Sequence, residues 1–80
     1  MISADELRQR LETTFPGAEI SISDLTGGSD HFDVKVISED FAGKSLIQRH
    51  RMVYAPLQDV MGGALHALAL TTKTPAEYAA

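Results

Sequence analysis

The sequence contains no cysteine among its 80 residues. The chain therefore has no disulfide framework, no thiolate nucleophile and no metal site made of cysteine ligands. Any metal that it binds must be held by histidine or carboxylate side chains, or by ligands that a partner contributes. Its three histidines, His31, His50 and His66, are the first candidates.

Long apolar runs are also missing, since none approaches the roughly 20 residues that span a bilayer. The N-terminal stretch MISADELRQR lacks the basic and then apolar layout of a signal peptide. We therefore expect a cytoplasmic protein without a membrane partner. The hydrophobic content of 44% with 22% charged residues is typical of a folded soluble domain. We expect one small domain over residues 1–80, with a limited core.

Acidic residues are absent from residues 41–58, although the whole chain has a net charge of -4. Residues 1–40 have a net charge of -6 and residues 41–80 have +2. An acidic chain is a poor general binder of nucleic acid, because that affinity is built from many basic contacts. The local cluster of Lys44, Arg49 and Arg51 nevertheless predicts a surface for a partner.

Catalytic motifs are missing as well. The sequence has no nucleophile paired with a base, no phosphate-binding loop and no H-E-x-x-H motif. Asp30 and Asp33 are ordinary loop carboxylates beside a turn rather than an acid and base pair. We therefore expect a protein that is not an enzyme.

The first half of the chain predicts one helix and two strands. Ser3 and Glu6 predict a capping box at the start of a helix that Pro16 and Gly17 end. Strict alternation of apolar and polar residues predicts strands over Glu19 to Asp24 and over His31 to Ser38. The glycine-rich stretch between the two strands predicts a loose hairpin loop.

The stretch from Phe41 to Met61 predicts the main helix, because apolar residues recur three or four apart along it. The predicted buried stripe includes Leu46, Ile47, His50, Val53, Tyr54, Leu57 and Val60 or Met61. An interior proline removes one backbone donor, so Pro56 predicts a kink or two helical pieces that meet near Tyr54 and Ala55.

The last part of the chain predicts a strand and a short helix. The run from Leu65 to Leu70 favours a buried third strand. Thr74, Pro75 and Glu77 have the spacing of a helix start with a capping box. The fold class is then α+β: one small αββαβα domain with a three-stranded mixed sheet, the second and third strands parallel through a right-handed crossover, and helices on one face.

The strings DHFDVKVISEDFAGKSLIQRHRMVY and LHALALTTKTP resemble the BolA family, whose αββαβ core is similar to a class II K-homology (KH) domain. The most specific parts are F-x-G-K-S-L-x-x-R-H-R-x-V-Y from Phe41 to Tyr54 and L-H-A around His66. The ending departs from the family's K-T-x-T-P pattern: either Thr72 stands at the place of the first lysine, or the register is shortened there. The resemblance covers nearly the whole chain.

The resemblance implies a partner rather than a substrate. BolA-like proteins bind monothiol glutaredoxins of the Cys-Gly-Phe-Ser type, and the pair can hold a bridging [2Fe-2S] cluster with thiolates from the glutaredoxin and glutathione. The family's ligand histidine at the third strand maps to His66, and His31 is the local choice for a second ligand. The chain alone would be a monomer or weak homodimer without a cluster.

Each histidine also has a purely structural interpretation. His66 could cap or pack at a strand start, but the family resemblance favours a ligand. For His31, a solvated histidine beside Asp30 and Asp33 is as well supported as ligation. His50 lies on the apolar stripe, which favours a hydrogen-bonded, partly buried histidine.

The basic residues of the main helix leave two interpretations open. Lys44, Arg49, Arg51 and Tyr54 could dock the glutaredoxin, which makes the chain an accessory protein in iron-sulfur cluster trafficking or iron homeostasis. Alternatively, the same residues could bind DNA, as expected of a transcriptional regulator with a KH-like fold. The sequence has no G-x-x-G loop, and the nearest approach is Gly43 to Leu46, which weakens this alternative.

Overall fold

The computed structural model describes residues 2–25, 31–61 and 67–80. Its helices are α1 (Ala4–Thr14), α2 (Leu46–Tyr54) and α3 (Pro75–Ala79), and its strands are β1 (Glu19–Asp24), β2 (His31–Ile37) and β3 (Ala67–Lys73). Two short 3-10 turns cover Glu39–Phe41 and Ala55–Leu57. Within these three ranges, no helix is both long enough and apolar enough to cross a membrane.

Helix α1 begins where the sequence predicts. The Ser3 side chain accepts a hydrogen bond from the Glu6 backbone N–H, which satisfies one of the free donors of the first turn. The Glu6 carboxylate lies 3.1 Å from the Arg10 guanidinium in an i,i+4 pair. The cap is therefore confirmed for the serine half of the predicted box, while Glu6 pairs with Arg10.

The three strands form one mixed sheet in the order β1-β2-β3. Strands β1 and β2 are antiparallel, and β2 and β3 are parallel. This arrangement confirms the predicted α+β class and the predicted strand directions. Strand β3 ends later than the predicted Leu70, because the ladder with β2 continues to the pair Ile37 and Lys73. The predicted start at Leu65 lies outside the described residues.

One face of the sheet carries the core. Phe32, Val34 and Val36 of β2 are buried on this face, as their alternation predicts. Helices α1 and α2 add residues to the same cluster, which confirms that helices cover this face. The buried cluster comprises Ile2, Leu7, Leu11, Phe15, Phe32, Val34, Val36, Phe41, Val53 and Leu57.

The other face of the sheet is polar and largely open. Ser21, Asp33 and Thr71 lie on it and are exposed, and with Ser23 and Lys35 they line a shallow groove of about 310 Å³. Helix α3 reaches this side through Tyr78, whose ring centroid lies 5.0 Å from the Lys35 ammonium.

The predicted main helix is wrong in its extent. Phe41 ends a 3-10 turn, Gly43 has a positive φ of 74°, and α2 begins only after the Ser45 cap. A capping box between Ser45 and Gln48 fixes this start, and sequence reasoning missed that signal. The predicted break near Tyr54 is confirmed, because a 3-10 turn with Pro56 follows α2 at Ala55.

The later start of α2 also changes its buried side. Leu46 is 62% exposed and Ile47 is 66% exposed, so their prediction as part of the buried stripe is wrong. Val53 and Leu57 are fully buried, as predicted. The two aliphatic residues occupy the first turn of the helix, and the part of α2 that enters the core comes later.

Candidate functional site

The strand starts of β2 and β3 lie at one end of the sheet, because parallel strands begin at the same edge. His31 opens β2, and its register partner is Ala67, which opens β3. Neighbouring strands are about 5 Å apart, so the backbones at these two positions are close together. His31 is half-buried, and its carbonyl accepts a hydrogen bond of 2.9 Å from the Leu25 N–H.

His66 immediately precedes Ala67 in the sequence and lies outside the described residues. Its role as a ligand therefore stays a prediction. Across the described ranges, no group of three or more His, Cys, Asp or Glu residues could hold a metal ion. A metal centre at the His31 end of the sheet would consequently require ligands beyond this described set.

His50 lies inside α2, away from the strand starts in the sequence. It is half-buried, and its ring stands edge-on to the Tyr54 ring at a centroid distance of 6.5 Å. Its Nε2 atom is buried and has no hydrogen-bond partner among the described residues. The predicted partial burial is confirmed, whereas the predicted hydrogen bond is not found at Nε2.

Arg49 is paired with Glu77 of α3. Its guanidinium donates two hydrogen bonds to the Glu77 carboxylate, at 2.6 and 3.1 Å, and one of 3.1 Å to the Lys44 carbonyl. The guanidinium also lies over the Phe41 ring at 5.9 Å, and the side chain is only 12% exposed. Arg49 therefore joins α2 to the start of α3, and its charge is neutralised there.

The exposed side of α2 carries a different set of residues. Ile47, Arg51 and Tyr54 are spaced four and then three residues apart, so they lie along one side of the helix. Ile47 and Arg51 are exposed, and Tyr54 is half-buried. We call these three residues the α2 stripe. Lys44, just before the helix, is also exposed.

Helix α2 begins near the end of the sheet where β2 and β3 finish. The helix starts soon after β2 ends, and Arg49 in its second turn contacts Glu77, which follows the end of β3. Lys44 therefore lies near the end of the sheet opposite His31.

Glu77 is the ionisable group whose pKa departs most clearly from its ordinary value. Hydrogen bonds from Arg49, together with the Thr74 backbone N–H that caps α3, lower the pKa of Glu77 to about 2. Because the folded-state pKa is lower than the unfolded value, the ionised pair stabilises the fold above about pH 4.5. This contribution is lost as the pH falls from there towards about 2.

Replacing Glu77 with glutamine is expected to lower the free energy of unfolding at pH 7 and to change it much less near pH 2. Urea unfolding of wild type and Glu77→Gln at both pH values measures this difference. The variant Glu12→Gln, on the exposed side of α1, is the control for loss of one carboxylate. An equal destabilisation by Glu77→Gln at both pH values would contradict the assignment.

Comparison with known proteins gives a consistent result. The family model described as "BolA-like protein" matches residues 10–77. The chain is 35% identical over 86 residues to SufE-like protein 1 of Arabidopsis thaliana, covering 89% of this chain and 23% of that protein. It is 37% identical over 79 residues to BolA-like protein 1 of Homo sapiens, covering 90% of this chain and 58% of that protein.

A solved structure, the BolA domain of SufE1 from Arabidopsis thaliana, superimposes with a TM-score of 0.83 at 34% identity. The match covers 96% of this chain and 99% of that domain. The chain thus spans a quarter to three fifths of the two named relatives and nearly the whole of the solved domain. The similarity therefore concerns this domain and not the remaining parts of the longer relatives.

Proposed function

The chain belongs to the BolA-like family, and on this premise we propose that it is a non-enzymatic accessory protein that shares a [2Fe-2S] cluster with a monothiol glutaredoxin. The partner would be a glutaredoxin of the Cys-Gly-Phe-Ser type. The chain would act in iron-sulfur cluster trafficking or iron homeostasis. The occurrence of a BolA domain in a SufE-like protein supports an iron-sulfur role.

The observation that carries the proposal is the shared start of β2 and β3. His31 is paired in register with Ala67, the residue that directly follows His66 in the sequence. A parallel pair of strands therefore brings His31 and the residue that follows His66 in the sequence to one end of the sheet. Sequence spacing alone places these histidines 35 positions apart.

The two candidate histidines fit a cluster that is shared with a partner better than a cluster that this chain holds alone. A [2Fe-2S] cluster is commonly held by four protein ligands, and imidazole can replace thiolate on one iron. His66 and His31 would supply two imidazoles, and the glutaredoxin cysteine and glutathione would supply two thiolates. The cluster would supply electron-transfer or transferable iron-sulfur chemistry when bound. This chain's part is coordination, so no residue needs to act as an acid, base or nucleophile.

Docking of the glutaredoxin is assigned to the α2 stripe. Ile47 offers an exposed aliphatic side chain, Arg51 a positive charge, and Tyr54 a half-buried aromatic ring. Arg and Tyr are enriched at the centres of protein interfaces. Of the predicted docking residues, Arg51 and Tyr54 keep this role. Lys44 lies before the start of α2, and Arg49 is paired with Glu77 within the fold.

Replacing Ile47 with aspartate is expected to weaken the glutaredoxin complex about tenfold, because an acid would replace an exposed apolar contact beside Arg51. Isothermal titration of the purified proteins measures the affinity. The variant Gln9→Asp adds the same charge at an exposed position of α1 and is expected to bind as wild type does. Equal affinities for wild type and Ile47→Asp would remove α2 from the interface.

Anaerobic reconstitution tests the function itself. The purified chain, a monothiol glutaredoxin and glutathione are mixed with iron and sulfide, and the complex is isolated by size exclusion. The expected product contains both proteins with iron and sulfide in [2Fe-2S] proportion, and its visible circular dichroism differs from that of the glutaredoxin cluster alone. A cluster that stays on the glutaredoxin with an unchanged spectrum would contradict the proposal.

DNA binding is the weaker alternative. The pairing of Arg49 with Glu77 leaves Lys44 and Arg51 as the exposed cations of the helix region, and many more basic contacts are usual for specific DNA binding. A salt titration with duplex DNA decides this point. Binding near physiological salt that weakens in Arg51→Ala would favour the regulator, and absent binding would exclude it.

A further inference from the structure

The two edges of the sheet are protected to different degrees. At the β1 edge, the Arg8 guanidinium donates a hydrogen bond of 2.7 Å to the Ile20 carbonyl, so a side chain of α1 occupies a backbone acceptor. Strand β1 also begins with Glu19 and ends with Asp24. Charges and covering side chains are the usual means of preventing strand addition at an edge.

The β3 edge has fewer of these features among the described residues, since Lys73 at its end is its one charged residue. No second strand lies along β3 on the side away from β2, and the residues from Ala67 to Thr72 carry no charge. The Lys73 carbonyl accepts a hydrogen bond from Ser38, which puts the backbone groups of Lys73 on the β2 side. Because backbone groups alternate along a strand, those of Leu70 and Thr72 point to the outer edge.

The side chains of β3 also suit an additional strand. Ala69 and Thr71 are exposed on the open face, and Leu68 and Leu70 are only half-buried on the core face. An uncharged edge with apolar and β-branched residues is a template for pairing with another strand. Among the described residues, the β3 edge is therefore the less protected of the two edges.

We propose that β3 pairs with β3 of a second copy of this chain, antiparallel across a two-fold axis, and forms a continuous six-stranded sheet. In such an isologous contact each residue faces a residue of the same strand in the other copy. With the axis near Leu70, Ala69 faces Thr71, and Lys73 faces Ala67. No like charges therefore meet across the axis, whereas β1 paired in the same way would oppose Glu19 and Asp24.

This inference does not rest on the proposed cluster function. It concerns the chain alone, and its evidence is the charge pattern and the open edge of β3. The contact consists of one strand from each copy, which is less than a standard stable interface, so the dimer is expected to dissociate on dilution. A reversible association of this kind leaves monomers available for other partners.

Sedimentation velocity of the purified chain over a dilution series tests the proposal. The mass is expected to rise with concentration from 8.7 kDa towards twice that value. The double variant Ala69→Lys with Thr71→Lys would put lysines opposite each other across the axis and weaken the dimer about tenfold. Both positions are exposed, and far-UV circular dichroism checks that the variant remains folded.

The matched control is the double variant Ser21→Lys with Ser23→Lys, which adds the same charge to exposed positions of β1 on the same sheet face. It is expected to dimerise as wild type does. Three outcomes would overturn the proposal: a wild-type chain that is monomeric at every concentration, a β3 variant that dimerises as tightly as wild type, or a β1 variant that weakens the dimer equally.

Discussion

Replacing Phe41 with alanine is expected to reduce the free energy of unfolding by about 3–5 kcal/mol. Phe41 is fully buried, and its ring centroid lies 5.3 Å from that of Phe15, so truncation leaves a cavity between the 3-10 turn and α1. A folded domain of this size is stable by only about 4–12 kcal/mol. The loss is therefore a large part of the total, and a substantial unfolded fraction is expected on warming.

The Phe41 ring also supports the residue that joins α2 to α3. The Arg49 guanidinium lies over it at 5.9 Å while bonding to Glu77. Urea unfolding measures the effect, with Phe41→Leu as the control that keeps most of the apolar volume and should cost much less. A loss below about 1 kcal/mol in Phe41→Ala would show that this ring is not a core element.

Replacing His66 with alanine is expected to shorten the lifetime of the shared cluster at least tenfold, since even the residues that orient metal ligands typically contribute about that much. His31→Ala is expected to have a smaller effect of the same sign, because it is the second candidate. The visible circular dichroism of the anaerobic complex with glutaredoxin and glutathione measures the remaining cluster over time.

His50→Ala is the matched control for loss of an imidazole. His50 lies on α2 with its ring against Tyr54, and not at the start of β2 or β3, so the cluster spectrum should be unchanged. Size exclusion of each complex separates loss of ligation from loss of docking. A His66→Ala complex with the wild-type cluster spectrum and lifetime would defeat the ligand assignment.

Much of the fold could be predicted because local signals agreed with the tertiary structure. The alternation in EISISD and HFDVKVIS predicted β1 and β2 and their buried faces, and the T-P-x-E spacing predicted the start of α3. The break at Ala55 followed from Pro56. In each case a local sequence preference decides the backbone conformation, and the tertiary contacts do not change it.

The start of α2 was not predicted correctly because periodicity continues across a turn. Apolar residues recur three or four positions apart from Leu46 to Leu57, which suits a helix, but the chain turns at Gly43 and the helix begins only after Ser45. This error also affects the candidate site, because Ile47 is predicted as a core residue and is instead an exposed residue of the α2 stripe. The Ser45 and Gln48 box was the local signal of the true start.

The role of Arg49 could not be predicted from its neighbours in the sequence. Its partner Glu77 lies 28 positions away and comes close only because β3 runs parallel to β2 and delivers α3 beside α2. The same long-range topology pairs His31 with Ala67, the residue that follows His66 in the sequence. Sequence reasoning therefore found these residues through composition and resemblance, and the sheet register supplied the spatial relation.

The central claim, that this chain contributes imidazole ligands to a shared cluster, is tested most directly by nitrogen couplings in the electron paramagnetic resonance of the reduced complex. The complex is prepared twice with unlabelled glutaredoxin, once with this chain unlabelled and once with its histidines labelled with ¹⁵N. We expect the strong ¹⁴N couplings to be replaced by ¹⁵N couplings and to be reduced in His66→Ala. Identical spectra from the two samples would contradict the account.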